Sequence, residues 1–96
     1  MEEALEGAEA VYAKSWGSLE YYGQWEKERS HRAQYRDWIV DERRMKRTKG
    51  AVFMHCLPVR RNVVVADAVI DGPSSVVYDQ AENRLHVQRA ILEAIV

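Results

Sequence analysis

The seven residues Ala51–Leu57 read Ala-Val-Phe-Met-His-Cys-Leu, an almost unbroken apolar run that Pro58 ends at once. A strand covered on both faces of a parallel sheet has this appearance, because neither face alternates to polar residues. Proline lacks the N–H that would continue the ladder. A chain of 96 residues holds at most one small domain and buries a modest fraction of its surface.

The segments around this run alternate. Met1–Gly7 reads as the tail of a helix stopped by glycine, and Ala8–Ala13 as a short strand that breaks into the loop Lys14-Ser15-Trp16-Gly17. From Ser18 to His31 no period is evident, and an irregular connection is expected. Tyr35–Val40 is aromatic and apolar. Asp41 is expected to cap a charged helix over Glu42–Thr48, with the acid at its start and bases at its end. Val63–Ile70 turns from loop into a short helix closed by Asp71-Gly72-Pro73, Ser75–Tyr78 reads as a third strand, and a last helix opens at Asp79 or Gln80. That helix runs to Ile95 with Leu85, Leu92 and Ile95 on one face. Alternating strand and helix predicts an α/β fold with a parallel sheet flanked by helices. Ligands of such sheets sit beyond the carboxyl ends of the strands. Lys14, His55–Arg61 and Asp79–Arg84 follow the three expected strand ends, which predicts a polar site along one edge.

Charge narrows the function classes. With 14 basic and 15 acidic residues the net charge is -1, so no global field draws the chain to nucleic acid or to a membrane surface. No apolar run reaches the roughly 18 residues of a membrane span. The acidic start Met1-Glu2-Glu3-Ala4-Leu5-Glu6 lacks the order of a signal peptide. The single cysteine, Cys56, excludes an internal disulfide and fits a reducing cytoplasm.

Several residues could carry chemistry. His55 and Cys56 are neighbours on the expected strand and point to opposite faces, so they cannot activate each other. No second cysteine or paired histidine lies at metal-ligand spacing, and no metal or cofactor is expected. Cys56 reads as a strand-end cysteine whose neighbouring backbone carbonyls face the cleft and can accept from an amide NH2. The basic run Arg43–Lys49 lies among Asp37, Asp41 and Glu42 and reads as a solvated face. Arg60 and Arg61 follow a strand end and suit a carboxylate or a phosphate. Arg84 stands early in the last helix, where the dipole gives it nothing; it either serves an anion or carbonyl, or pairs with Asp79 or Glu82.

Phe53-Met54-His55-Cys56-Leu57-Pro58 resembles a signature of ornithine-type carbamoyltransferases, and Ala81-Glu82-Asn83-Arg84-Leu85-His86 resembles their second signature at the expected separation. Lys14-Ser15-Trp16-Gly17 and Pro58-Val59-Arg60-Arg61-Asn62 look like the branch that acts on N-acetylornithine, more than the ornithine or N-succinylornithine branches. The likeness runs over essentially all 96 residues and implies one partial domain, 1–96, the C-terminal acceptor-binding part of such an enzyme. By resemblance, the carbonyls of Cys56 and Leu57 hold the carbamoyl NH2, and Arg84 meets carbamoyl phosphate and polarises its carbonyl. Lys14 binds the carboxylate of the acceptor, Trp16 shapes that pocket and Arg60 assists. The implied reaction converts carbamoyl phosphate and N-acetylornithine into N-acetylcitrulline and phosphate, in the cytoplasmic route to arginine. The implied assembly is a homotrimer with sites between subunits, built on a knotted chain.

Two departures from the family pattern stand out. Some acetylornithine enzymes carry lysine two residues after the asparagine of Arg-Arg-Asn, where this chain has Val64. The family's Ser-x-Arg-Thr and His-Pro-x-Gln phosphate motifs do not occur in these residues. Met1 is accordingly expected to start within a domain, and the chain alone is expected to be an inactive fragment.

Overall fold

In the computed structural model, which describes residues 1–96, two short strands form a parallel pair with helices around it. Strand β1 (Ala10–Ala13) pairs with β2 (Val52–His55) in the register Ala10↔Val52 to Ala13↔His55. Both strands therefore stop at the same level, and their following residues leave the sheet side by side. β2 supplies the centre of the core: Phe53 is fully buried, together with Val65 and Val77. Burying a side chain of that size contributes about 1.5–3 kcal/mol.

Five helices surround the pair: α1 (Glu2–Leu5), α2 (Trp25–Ala33), α3 (Glu42–Met45), α4 (Asp67–Ile70) and α5 (Val77–Ile95). The chain leaves α1 through Gly7 at φ +72°, as the glycine stop predicts. Asp41 caps α3, its Oδ1 accepting from the Arg44 N–H at 2.8 Å. The regular helix ends at Met45 rather than Thr48. Thr48 Oγ1 instead donates to the Met45 carbonyl at 2.6 Å and accepts from the Ala51 N–H at 3.0 Å, turning the chain into β2. Gly72 closes α4 because a Cβ there would lie 2.5 Å from the Ala68 carbonyl oxygen.

Two expectations change. The irregular stretch Ser18–His31 contains the start of α2, which runs on to Ala33. This helix buries no residue, so it carries no apolar stripe for a periodicity to reveal. Its acids Glu26 and Glu28 lie in the first turn and His31 and Arg32 in the last, as the dipole favours. The expected third strand at Ser75–Tyr78 shrinks to one parallel bridge, Phe53↔Ser75. The Phe53 N–H donates to the Ser74 carbonyl at 2.8 Å, and the Phe53 carbonyl accepts from the Val76 N–H at 3.0 Å; α5 begins at the next residue. Val77 is fully buried at the helix start, and a short apolar run reads alike for a strand or a buried helix turn.

The basic run that begins in α3 meets acids in and just after α1. Arg44 Nε donates to Glu2 Oε1 at 2.8 Å, Arg47 donates to Glu2 Oε2 at 3.2 Å and Glu6 Oε1 at 2.9 Å, and Lys49 reaches Glu9 at 3.2 Å. The Arg44 hydrogen bond holds the Glu2 carboxyl below its ordinary range. Arg44, Arg47 and Lys49 are thus matched by acids within the chain.

Only 11 of 96 residues are buried, and the radius of gyration is 16.1 Å, against about 13 Å for a compact domain of 100 residues. Helix α5 is 19 residues long and largely exposed. Val77 is its one buried residue, while Leu85, Leu92 and Ile95 are 66, 58 and 74 % exposed. The architecture is an α/β part of a domain. No helix is long and apolar enough to cross a membrane.

Candidate functional site

The parallel register delivers the site. Because Ala13 pairs with His55, the next residues, Lys14 and Cys56, leave the sheet together, and Lys14 Nζ lies 3.0 Å from Cys56 Sγ. The ammonium, as hydrogen-bond donor and as charge, lowers the thiol's pKa, with a hydrogen bond from Tyr12 adding to it. The same contact raises the pKa of Lys14. His55 points inward as strand alternation requires: it is 1 % exposed, and neither ring nitrogen has a partner. Burial first, and the nearby Lys14 charge second, lower its pKa by disfavouring the charged imidazolium.

After His55 the chain turns. The Leu57 N–H donates to the His55 carbonyl at 3.1 Å, and the Leu57–Pro58 peptide bond is cis. No backbone N–H donates to the carbonyl of Cys56 or of Leu57. Both residues are half-buried, so two free acceptors stand at the strand end beside the Lys14 ammonium. An NH2 group bearing two donors matches that pair.

Trp16 borders the same edge. Its indole lies with Arg32 5.5 Å from the ring centre and Tyr35 edge-on at 6.4 Å, and its Nε1 is buried without a partner. Arg60 Nη2 makes a long contact of 3.5 Å to the Trp16 carbonyl and is otherwise uncommitted. A cavity of about 340 Å³ opens against Lys14 and Trp16, with Trp38, Val40 and Val64 among its walls. Val64 is 3 % exposed and forms an apolar part of that wall.

Arg84 is the member the structure keeps apart. It stands exposed on α5 and forms neither of the acid pairs open to it; Glu82 contacts His86 at 3.3 Å instead. Its link to the site is Gln80, whose Oε1 accepts from the His55 N–H at 3.0 Å. Four residues later on the same helix, Arg84 lies on the same face, one turn further along. Gln80 was not singled out by sequence; its offset of four from Arg84, just after an apolar helix start, is the signal that marks it. Arg61 departs from the anion-binding expectation, because Asp67 and Asp71 occupy its guanidinium at 2.7–2.8 Å.

The Lys14–Cys56 contact carries a direct prediction. Replacing Lys14 with methionine removes the first cause of the lowered thiol pKa. The pH profile for iodoacetamide alkylation of Cys56 then moves to higher pH, and labelling at pH 7 slows. An unchanged profile would show that Lys14 does not govern the thiol.

Comparison with known proteins gives this geometry a context. The family described as aspartate/ornithine carbamoyltransferase, Asp/Orn binding domain, matches residues 1–95. The N-acetylornithine carbamoyltransferase of Xanthomonas campestris pv. campestris is 55% identical over 96 residues, covering 100% of this chain and 28% of the relative. The ornithine carbamoyltransferase of Herminiimonas arsenicoxydans is 49% identical over 96 residues, 98% of this chain and 30% of the relative. A crystal structure of acetylornithine transcarbamylase complexed with acetylcitrulline superposes with TM-score 0.90 at 56% identity, covering 99% of this chain and 28% of that one. An N-acetyl-L-ornithine transcarbamylase mutant complexed with carbamyl phosphate and N-succinyl-L-norvaline gives the same TM-score of 0.90, with 99% and 29% covered. The chain thus spans somewhat over a quarter of the length of these relatives. On a match over residues 1–95, the chain belongs to the aspartate/ornithine carbamoyltransferase family, within its Asp/Orn-binding domain.

Proposed function

We propose that residues 1–96 form a single unit, the acceptor-binding part of an enzyme that moves a carbamoyl group from carbamoyl phosphate to N-acetylornithine, giving N-acetylcitrulline and phosphate in arginine biosynthesis. The observation that carries the reading is the pair of unsatisfied carbonyls, Cys56 and Leu57, beside an ammonium 3.0 Å from Cys56 Sγ. The carbonyls accept from the carbamoyl NH2 and fix the plane of the electrophile. Lys14, assisted by Arg60, binds the acceptor carboxylate, and Trp16 shapes the pocket around it. The neutral δ-amine attacks the carbamoyl carbon, negative charge builds on the carbonyl oxygen where the Arg84 guanidinium stabilises it, and the carbon–oxygen bond to phosphate breaks as the departing phosphate takes up the proton the amine loses. No covalent enzyme intermediate is required, since placing the amine against an activated carbonyl supplies most of the rate.

The Lys14-Ser15-Trp16-Gly17 loop and the similarity to N-acetylornithine enzymes favour the acetylated acceptor over ornithine or N-succinylornithine. The working assembly is a cytoplasmic homotrimer; the exposed apolar face of α5 accords with further protein covering it.

A graft tests this. Residues 1–96 replace the equivalent segment of the Xanthomonas campestris enzyme, and citrulline-group formation is followed with the three acceptors. The chimera is expected to turn over N-acetylornithine in preference to the other two, and the isolated chain to turn over none. A folded chimera without transfer, or one preferring ornithine, would overturn the reading.

A further inference from the structure

Arg60 and Arg61 are adjacent in sequence and have opposite fates. Arg60 is exposed and almost uncommitted, with the Trp16 carbonyl at 3.5 Å as its one contact. Arg61 is fully engaged: Nη1 donates to Asp67 Oδ1 at 2.8 Å and Asp71 Oδ2 at 2.7 Å, and Nη2 to Asp71 Oδ1 at 2.7 Å. We infer that Arg61, with Asn62, Asp67 and Asp71, is a positioning cluster that sets the guanidinium of Arg60 opposite the Lys14 loop. The inference rests on the reading of Lys14 and Arg60 as the acceptor-carboxylate site.

The backbone shows how the cluster reaches Arg60. The Arg60 carbonyl accepts from both the Val63 N–H at 3.3 Å and the Val64 N–H at 3.0 Å, and the Asn62 N–H donates to Val65 at 2.7 Å. This closes a tight turn in which Asn62 takes φ 57°, a conformation that asparagine tolerates better than most residues. The Asn62 side chain locks the turn to α4: Nδ2 donates to Asp67 Oδ2 at 2.8 Å, and the Asp67 N–H donates back to Asn62 Oδ1 at 3.1 Å. The far side of the turn is anchored in the core. Val64 and Val65 are 3 and 0 % exposed, and Val40 exchanges backbone hydrogen bonds with Val64 and Ala66 at 3.0 and 2.9 Å. Arg60 is thus carried on a turn held by the core on one side and by the Arg61 fork on the other.

Surface stability does not account for such a fork. The three side chains are 41, 54 and 54 % exposed, a setting where ion pairs contribute little. A bidentate guanidinium–carboxylate pair contributes directional geometry as well. The cluster also has a charge consequence. One guanidinium against two carboxylates leaves a local charge of -1, so an incoming carboxylate is not drawn to Arg61 and meets Arg60 and Lys14 as the available cations.

The test is a double-mutant cycle in the grafted enzyme, with KM for N-acetylornithine, KM for carbamoyl phosphate, kcat and thermal midpoint measured for each variant. Arg61→Gln is expected to raise KM for N-acetylornithine about fivefold and to leave KM for carbamoyl phosphate within about twofold, the scale of coupling between contacting neighbours. In an Arg60→Gln background the same change is expected to add less than about twofold, since its target is gone. Arg61→Lys, which keeps the charge and loses the fork, is expected to fall between. Should Arg61→Gln not fold, Asp71→Asn loosens the fork while keeping the Asp67 contact and is read by the same cycle. Effects of Arg60→Gln and Arg61→Gln that multiply, or a lowered midpoint with KM unmoved, would reduce the cluster to a structural role and overturn the inference. If Arg60→Gln and Lys14→Ala themselves leave KM for N-acetylornithine unchanged, the acceptor-site reading is what has failed.

Discussion

Replacing Arg84 with glutamine in the grafted enzyme is expected to lower kcat/KM for carbamoyl transfer about 10²–10³-fold, the usual cost of removing one group that stabilises charge developing in a transition state. Its surroundings make the expectation specific. Arg84 is exposed on α5 and paired with neither Asp79 nor Glu82, so its loss leaves no partner stranded and no cavity. The change should therefore leave the thermal midpoint nearly untouched. The defect should lie mainly in kcat, with all three acceptors affected alike, because the role proposed for this group is on the carbamoyl donor. Arg84→Lys should recover only part of the rate, since an ammonium offers a point charge without the planar fork. Wild-type kcat in Arg84→Gln would remove Arg84 from the chemistry. A defect confined to the acceptor KM would move it to the acceptor side.

Lys14→Ala is the complementary change and is expected to raise KM for N-acetylornithine about 10- to 100-fold, the scale of one hydrogen bond to a charged group. KM for carbamoyl phosphate should move far less. Lys14 donates to Cys56 Sγ at 3.0 Å, so the ammonium already stands at the strand end, where the proposed role has it meet the acceptor carboxylate. The substitution also releases Cys56 from its main acidifying contact, so the alkylation shift and the KM change should appear together in one variant. If only the carbamoyl phosphate KM rises, Lys14 serves the donor and the assigned role is wrong.

Much of the layout was legible in order of residues. The apolar run ending at Pro58 announced β2, glycine after Leu5-Glu6 announced the end of α1, and Asp41 announced the cap of α3. These signals are local: a proline without an N–H, a glycine free to take positive φ, a short acid at a helix start act through their own backbone. Where local signals are silent or doubled, the order of residues does not decide the element. The exposed helix α2 has no apolar stripe, and Val76-Val77-Tyr78 suits a strand as well as the buried start of α5. The roles given to Lys14, Cys56, Leu57, Trp16, Arg60 and Arg84 came from resemblance rather than from periodicity or spacing.

By itself, then, the sequence determined an α/β chain, its family strings, and the types of residue that follow each strand. Only the tertiary structure decided which of them meet. Parallel pairing of Ala13 with His55 brings Lys14 to Cys56 across 42 positions of chain, and a hydrogen bond from His55 to Gln80 attaches α5 to the same end. The structure likewise separated the two neighbouring arginines, giving Arg61 to Asp67 and Asp71 and leaving Arg60 toward the Trp16 loop. The physical reason is one of range. Caps, turns and strand ends depend on neighbours in sequence, whereas charge pairing and free carbonyls depend on which segments pack together, and that is settled by burial of Phe53, Val65 and Val77.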